Sequence, residues 1–239
     1  MKLSICVLTI NRFDISSEII LDSKIKSGIQ DEEKEILIAD NGSTDKRIIE
    51  FCKRIPPSYH RLNSTNEGVS RSFNQLMLRA KGEYIALIGN DILLQRDWAV
   101  DAIEHLERIP NSGIAAIHCV EQLPPITEKG VHESIGVFGT WIFRKTLLDE
   151  IGFFHEGYFP YGLEDSDFAL RSHYSGHINF YVPNQTGIHV GHDVDEKSEY
   201  REMKNQSLSD NVSLYGERKQ LIESGNLPIE PTPILKDTI

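Results

Sequence analysis

The run Tyr84-Ile85-Ala86-Leu87-Ile88-Gly89-Asn90-Asp91 points to an α/β fold more directly than any other part of the chain. Five apolar or aromatic residues run together and stop at a polar turn. A short continuous apolar run bounded by turn residues reads as a strand buried on both faces, as in parallel sheets. In open α/β sheets, ligands bind beyond the carboxyl ends of the strands. Asp91 therefore presents a carboxylate where a ligand or metal would sit.

Upstream, Lys2 to Ile10 reads as a first buried strand ending at Asn11-Arg12, with Ile15, Ile19, Ile20 and Ile25 following at roughly helical spacing. Glu35 to Ala39 is a second strand, ending at Asp40-Asn41-Gly42-Ser43-Thr44-Asp45. Asn-Gly is a turn signal, and Ser43 or Thr44 is placed to cap a helix near 45–54. A strand at Tyr59 to Leu62 and a helix at Gly68 to Ala80 precede the central stretch. Strands alternating with helices argue an α/β fold with a mostly parallel central sheet flanked by helices.

Downstream, the pattern gives a helix over Asp97 to Ile109, then strands at Gly113 to Val120 and Gly136 to Phe143. A short helix spans Lys145 to Ile151. Phe153 to Leu163 is an aromatic, glycine-containing loop suited to lining a pocket. Glu164 to Tyr174 is a helix and Ile178 to Val182 a strand. From Asp195 to about Glu223 apolar residues are sparse (Met203, Leu208, Val212, Leu214, Leu221, Ile222), which reads as a helix packed on the outside. It is expected to lie beside the acceptor cleft or to pair two subunits as a homodimer. Pro228, Pro231 and Pro233 make the end an extended tail with few contacts, so removing residues 226–239 should leave folding intact. The chain thus divides into residues 1–193, the main domain, and 194–239, a C-terminal helical appendage with its tail.

The 239 residues carry 25 Lys+Arg against 36 Asp+Glu, a net charge of −11. That balance disfavours wholesale binding to a nucleic-acid backbone, which needs a basic patch. Hydrophobic content of 39% and charged content of 26% are ordinary for a globular domain. Cys6, Cys52 and Cys119 are odd in number and widely spaced, which suits free thiols in a reducing compartment. Neither a secretory leader nor a membrane-spanning run is recognisable, so the expected location is cytoplasmic, or peripheral at a membrane.

Polar clusters stand at Thr9 to Arg12, Asp40 to Asp45, Gly89 to Asp91 and His189 to Asp193, with Glu164-Asp165 opening a helix. A parallel sheet brings the first three to one edge. Taken alone, Asp40 reads equally as a turn acid or as an acceptor for a ribose or base. Arg12 reads as a nucleotide neighbour or a surface residue, and Arg71 as a solvated helix residue. Neither G-x-G-x-x-G after the first strand nor a P-loop motif occurs, which removes the usual dinucleotide and NTPase readings.

At this point the sequence resembles the family 2 glycosyltransferases of the GT-A fold. Thr9-Ile10-Asn11-Arg12 is similar to that family's T-x-N-R, and Asp40 to Asp45 to its D-N-G-S-T-D segment. Asn66-Glu67-Gly68 with Asn74 and Ala80 to Tyr84 is similar to its N-x-G…N…A-x-G-x-Y block. Gly89-Asn90-Asp91 stands at the D-x-D metal motif, with Gly89 in place of the first acid. Gly152-Phe153-Phe154 through Glu164-Asp165-Ser166-Asp167 and Arg171 resembles G-x-F…E-D-x-D…R, with His155 where an Asp is common.

The resemblance implies an inverting, metal-assisted transfer of sugar from a UDP- or dTDP-linked donor to a hydroxyl on a glycan, lipid-linked saccharide or other acceptor. It implies donor binding by Thr9, Asn11, Arg12, Asp40, Asn41, Asn66, Gly68, Asn74 and Asn90. Metal would be held by Asp91 and His189, with His192 a competing ligand. One carboxylate plus donor phosphates suffices for Mg²⁺ or Mn²⁺. An imidazole tilts the preference to Mn²⁺. Asp165 is the expected general base, at a helix N-terminus whose dipole favours its ionised form, with Glu164 beside it. Trp141 and the aromatics Phe153, Phe154, Tyr158, Phe159 and Tyr161 are expected to divide between core and sugar-stacking surface. The rival readings are a nucleotidyltransferase and a non-catalytic sugar-nucleotide or glycan-binding module on the same fold.

Overall fold

β1 (Leu3–Thr9) is buried along its whole length, as its apolar sequence requires. The computed structural model that shows this describes residues 1–119, 122–190 and 199–233. His192, the boundary at 193 and the far end of the strand expected to reach Val120 lie outside the described residues. After β1 come α1 (Phe13–Ile25), β2 (Lys34–Asp40), α2 (Arg47–Arg54), β3 (Tyr59–Leu62), α3 (Val69–Arg79) and β4 (Tyr84–Ile88). β1 lies between β2 and β4, parallel to both, with Thr9 opposite Asp40 and Val7 opposite Ile88. Three strand ends therefore meet at one edge, as the sequence predicts.

The second half adds β5 (Ile92–Leu93), α4 (Trp98–Arg108), β6 (Ser112–His118), β7 (His132–Glu133), β8 (Thr140–Arg144), α5 (Leu147–Ile151), α6 (Glu164–Tyr174), β9 (Ile178–Thr186), β10 (Ile188–His189) and α7 (Glu199–Glu223). The main sheet has the order β3-β2-β1-β4-β8-β6-β9-β7. β8 runs antiparallel to both of its neighbours, and β7 antiparallel to β9. The sheet is parallel in its first half and mixed in its second. β8 also begins later than the expected Gly136. Gly139 holds φ +111°, and a Cβ there would stand 2.1 Å from the Ile117 carbonyl oxygen, so the chain turns into the strand only after it.

Alternate residues of β1 feed two apolar layers. Leu3, Ile5 and Val7 pack with Ile19 and Ile20 of α1 and Trp98 of α4. Cys6 and Leu8 pack with Phe73 and Leu76 of α3 and Phe168 of α6. Each fully buried Leu, Ile or Phe contributes about 1.5–3 kcal/mol. Cys6 and Cys52 are buried thiols and Cys119 is half-buried, none in a disulfide. No described helix is long and apolar enough to cross a membrane.

Two expectations about the C-terminal part change. The buried positions of α7 include Ser207, Asn211, Arg218 and Ile222, whereas Leu208, Val212 and Leu221 are 43–57% exposed. The helix attaches by polar contacts as well as by Ile222, and half of its apolar residues face outward. Nor is the whole tail loosely held. Glu230 forms a β-bridge with Gly152, close enough that a Cβ on Gly152 would stand 2.3 Å from the Glu230 carbonyl oxygen.

Candidate active site

The edge formed by β1, β2 and β4 is tied together by its own loops. Asn11 adopts a left-handed conformation, φ 49°, which asparagine tolerates. Its backbone N–H donates to Ser43 Oγ (2.6 Å), and its Oδ1 accepts from the Thr44 N–H and hydroxyl (3.0 and 3.2 Å). Ser43 and Thr44 thus join two strand ends and do not cap α2. At that helix, the Arg47 N–H donates to Asp45 Oδ1. Asp40 is buried and accepts from the Ser43 N–H (3.2 Å) and hydroxyl. Burial raises its carboxyl above the usual range, and the Ser43 bonds oppose the rise.

Asn41 organises the next loop. Its Oδ1 accepts from the Glu67 N–H (2.8 Å), Ser72 Oγ (3.0 Å) and Asn63 Nδ2 (3.1 Å). Its Nδ2 donates to Asn66 Oδ1 (2.7 Å), which in turn accepts from the Gly68 N–H. Asn11, Arg12, Asn41, Asn66 and Asn90 then line an outer chamber of about 310 Å³.

Three residues expected at the donor, Asp40, Gly68 and Asn74, are not among those lining either chamber. Asp40 lines neither chamber and holds its own turn. Gly68, at φ +82°, is pressed against Phe159, whose ring lies 2.9 Å from where a Cβ would stand. Asn74 is fully buried; its Nδ2 donates to the Phe154 carbonyl (2.9 Å) and its Oδ1 accepts from the Phe154 N–H (3.0 Å). Gly68 and Asn74 position the aromatic segment.

An inner chamber of about 420 Å³ adjoins the outer one and is lined by Thr9, Asn90, Asp91, His189, Glu164 and Asp165, among others. His189 reaches Asp91 through a two-strand ribbon. β10 pairs antiparallel with β5, which starts one residue after Asp91. The Val190 N–H also donates to the Asp91 carbonyl (2.8 Å). His189 Nε2 lies 3.4 Å from Asp91 Oδ2. Among the described residues no group of three or more His, Cys, Asp or Glu gathers at a point. This pair fits a cation whose remaining ligands come from phosphate oxygens and water.

Across the chamber, α6 begins after Leu163, itself left-handed at φ 71°. Glu164 Oε2 accepts from the Gly162 N–H (2.7 Å), and Asp165 Oδ1 from the Ser166 N–H (2.6 Å). Burial pushes both carboxyls up, and for Glu164 the Asp165 charge adds to it. The expected dipole effect on Asp165 is therefore outweighed by desolvation. A carboxylate taken out of water gains proton affinity.

Two residues after Asp165, Asp167 is fully buried. It accepts from Arg171 Nε (2.7 Å), Arg218 Nε (2.5 Å) and Nη2 (3.2 Å), and Tyr158 Oη (3.2 Å). Arg218 also pairs with Glu230 (2.7 Å), which meets His155 Nδ1 at 3.0 Å. Arg171 donates to the carbonyls of Ile151 and Phe153. This network bolts α7, the tail and the aromatic loop to the helix carrying Asp165. Arg218 and Glu230 were not singled out from sequence, because isolated charges in a polar stretch read as solvated surface. The aromatics both pack on one another and line the chambers, with Trp141 and Phe154 doing both. Trp141, Phe154 and Phe168 form a cluster with centroids 5.0–6.2 Å apart, while Tyr161 lines both chambers.

Comparison with known proteins agrees with this architecture. The chain is 33% identical over 105 residues to Uncharacterized protein Rv1520 of Mycobacterium tuberculosis (strain ATCC 25618 / H37Rv). That match covers 42% of this chain and 29% of the relative, so the chain spans less than a third of that protein's length. The fold is similar to S. aureus TarS 1-349 in complex with UDP-GlcNAc, with TM-score 0.63 and 20% identity over 78% of this chain and 57% of that one. It is also similar to the mannosyltransferase PcManGT from Pyrobaculum calidifontis in complex with GDP-Man and Mn²⁺, with TM-score 0.64 and 17% identity over 94% and 70%. The family description Glycosyl transferase family 2 matches residues 4–122, which run from β1 past the end of β6 and include the converging strand ends and Asp91. On that match and the shared GT-A architecture, the chain belongs to glycosyl transferase family 2.

Proposed function

We propose that this chain transfers a sugar, with inversion, from a UDP- or dTDP-linked donor to a hydroxyl of a glycan, lipid-linked saccharide or other acceptor. One observation carries the reading: Asp91, His189 and Asp165, far apart in sequence, line one chamber. The outer chamber, with its asparagines and Arg12, suits the nucleoside.

In the reaction the bond from the anomeric carbon to the diphosphate oxygen breaks, and the diphosphate leaves with its electron pair. The acceptor oxygen bonds to that carbon from the opposite face. Asp165 takes the hydroxyl proton, and its burial supports this role by raising its proton affinity above that of an ordinary aspartate. Glu164, anchored by the Gly162 N–H, orients this end of the chamber. Asp91 and His189 would hold a divalent cation, Mn²⁺ in preference to Mg²⁺ because one donor is an imidazole. Such a cation supplies Lewis-acid stabilisation of the departing diphosphate.

The test is turnover. Wild-type protein with Mn²⁺ and a panel of sugar nucleotides should release free nucleoside diphosphate, and Asp165→Asn should not. Binding without turnover for every donor and acceptor tried would favour a non-catalytic binding module.

A further inference from the structure

We infer that Lys204 of α7 binds the diphosphate of the donor at the wall between the two chambers. The inference rests on the donor reading above and adds a residue that no sequence motif marks. Among the described residues, the walls shared by the chambers are Leu8, Ile10, Val69, Asn90, Tyr161 and Lys204. A donor with its nucleoside in the outer chamber and its sugar beside Asp165 crosses that shared wall with its diphosphate. Four of the six shared residues are aliphatic or aromatic, Asn90 is a neutral amide, and Lys204 carries the charge.

Its placement is built. Lys204 Nζ sits 4.6 Å over the Tyr161 ring centre. The same turn of α7 is pinned to that segment, with the Tyr161 N–H donating to Ser207 Oγ (3.1 Å). Asn211 Nδ2 donates to the carbonyls of Tyr161 and Gly162 (both 3.0 Å). The chamber beyond holds three carboxyl groups, Asp91, Glu164 and Asp165, and each one that is ionised repels an entering diphosphate. The Lys204 charge already opposes part of the upward push on Glu164. An ammonium at the crossing counters the acids, and as a compact point charge with three donors it suits phosphate oxygens. Lys204 lies outside the residues 4–122 that match the family, so this contact is supplied by the C-terminal helix.

Calorimetry with UDP and with uridine, each in Mn²⁺ and in EDTA, tests the assignment on wild type, Lys204→Met and Lys204→Arg. A lost charge-assisted hydrogen bond is worth about 10–100-fold in affinity. Lys204→Met should weaken UDP by that factor in both conditions, leave uridine within about twofold, and be largely rescued in Lys204→Arg. Unchanged UDP affinity in Lys204→Met, or an equal loss for uridine, overturns the assignment alone. Wild-type protein that binds none of UDP, dTDP and GDP overturns the donor reading, and this inference with it.

Discussion

Arg218→Met should cost about 3 kcal/mol of stability. The Arg218 side chain is 9% exposed and makes two hydrogen bonds to Asp167 and one ion pair to Glu230, at 2.5–3.2 Å. Removing one partner of a buried ion pair costs about 3–5 kcal/mol, mostly through the charge left behind. The low end applies here. Asp167 keeps Arg171 and the Tyr158 hydroxyl, and Glu230 keeps His155. Methionine retains much of the aliphatic stem. For a chain of this length the melting temperature should fall by about 6–12 °C.

The pH dependence has a definite sign. Burial raises the Asp167 carboxyl, but Arg218 and Arg171 overcome it and hold it below the usual range. Its contribution is therefore present above the ordinary aspartate value of about 3.9 and is lost as pH falls through the lower folded value. Arg218→Met moves the folded value back up, so the stability gap between the two proteins should close in acid. Urea melts of wild type, Arg218→Met, Glu230→Gln and the double variant at several pH values measure both effects. A loss below about 1 kcal/mol at neutral pH would mean that the network is effectively solvated, because that is what an exposed pair is worth.

Asp165→Asn should lower the transfer rate by ~10²–10⁴-fold while donor affinity is retained, since the amide keeps the size but takes no proton at neutral pH; full activity there with a dead Glu164→Gln would move the base to Glu164. Because burial raises the Asp165 carboxyl, the acid limb of the rate should lie above the ordinary aspartate range and disappear in Asp165→Asn; a limb at an unshifted value would contradict the burial argument. His189→Ala should weaken UDP binding in Mn²⁺ by about 10-fold or more yet leave binding in EDTA unchanged, as loss of one ligand would require; equal losses in both would remove His189 from the metal site. Gly152→Ala should destabilise the fold by more than about 1 kcal/mol, since φ is +75° and the Glu230 backbone occupies the space for a Cβ; an unchanged melt would deny the tail its place.

The first half of the fold was legible because its strands are long, apolar and closed by turn residues. β1, β2 and β4 carry their pairing in the same residues that carry their burial. The ribbon of β5 and β10 was not legible, since two residues per strand give no periodicity. Nor was the inner face of α7, where Ser207, Asn211 and Arg218 are buried by the partners they meet. Hydropathy assigns such residues to solvent. The same blindness hid Lys204 and Glu230, whose positions depend on contacts made across the fold. Asn74 and Gly68 were read as donor residues; that Asn74 holds Phe154 and Gly68 abuts Phe159 could not be read, because sequence order does not show contacts made across the fold.

The ribbon that carries His189 to Asp91 has a consequence for how the protein opens. It is short, half-exposed, and closes a long stretch of chain, so it gains little enthalpy against a large closure entropy. Segments of that kind separate well below the free energy of global unfolding. The amides of Ile92 and Leu93 should therefore exchange with solvent far sooner than those of β1, and the Asp91–His189 pair should come apart while the sheet stays intact. A ligand bridging Asp91 and His189 would close that opening. Slower exchange confined to the ribbon would then report occupancy of the site in a protein whose overall secondary structure had not changed.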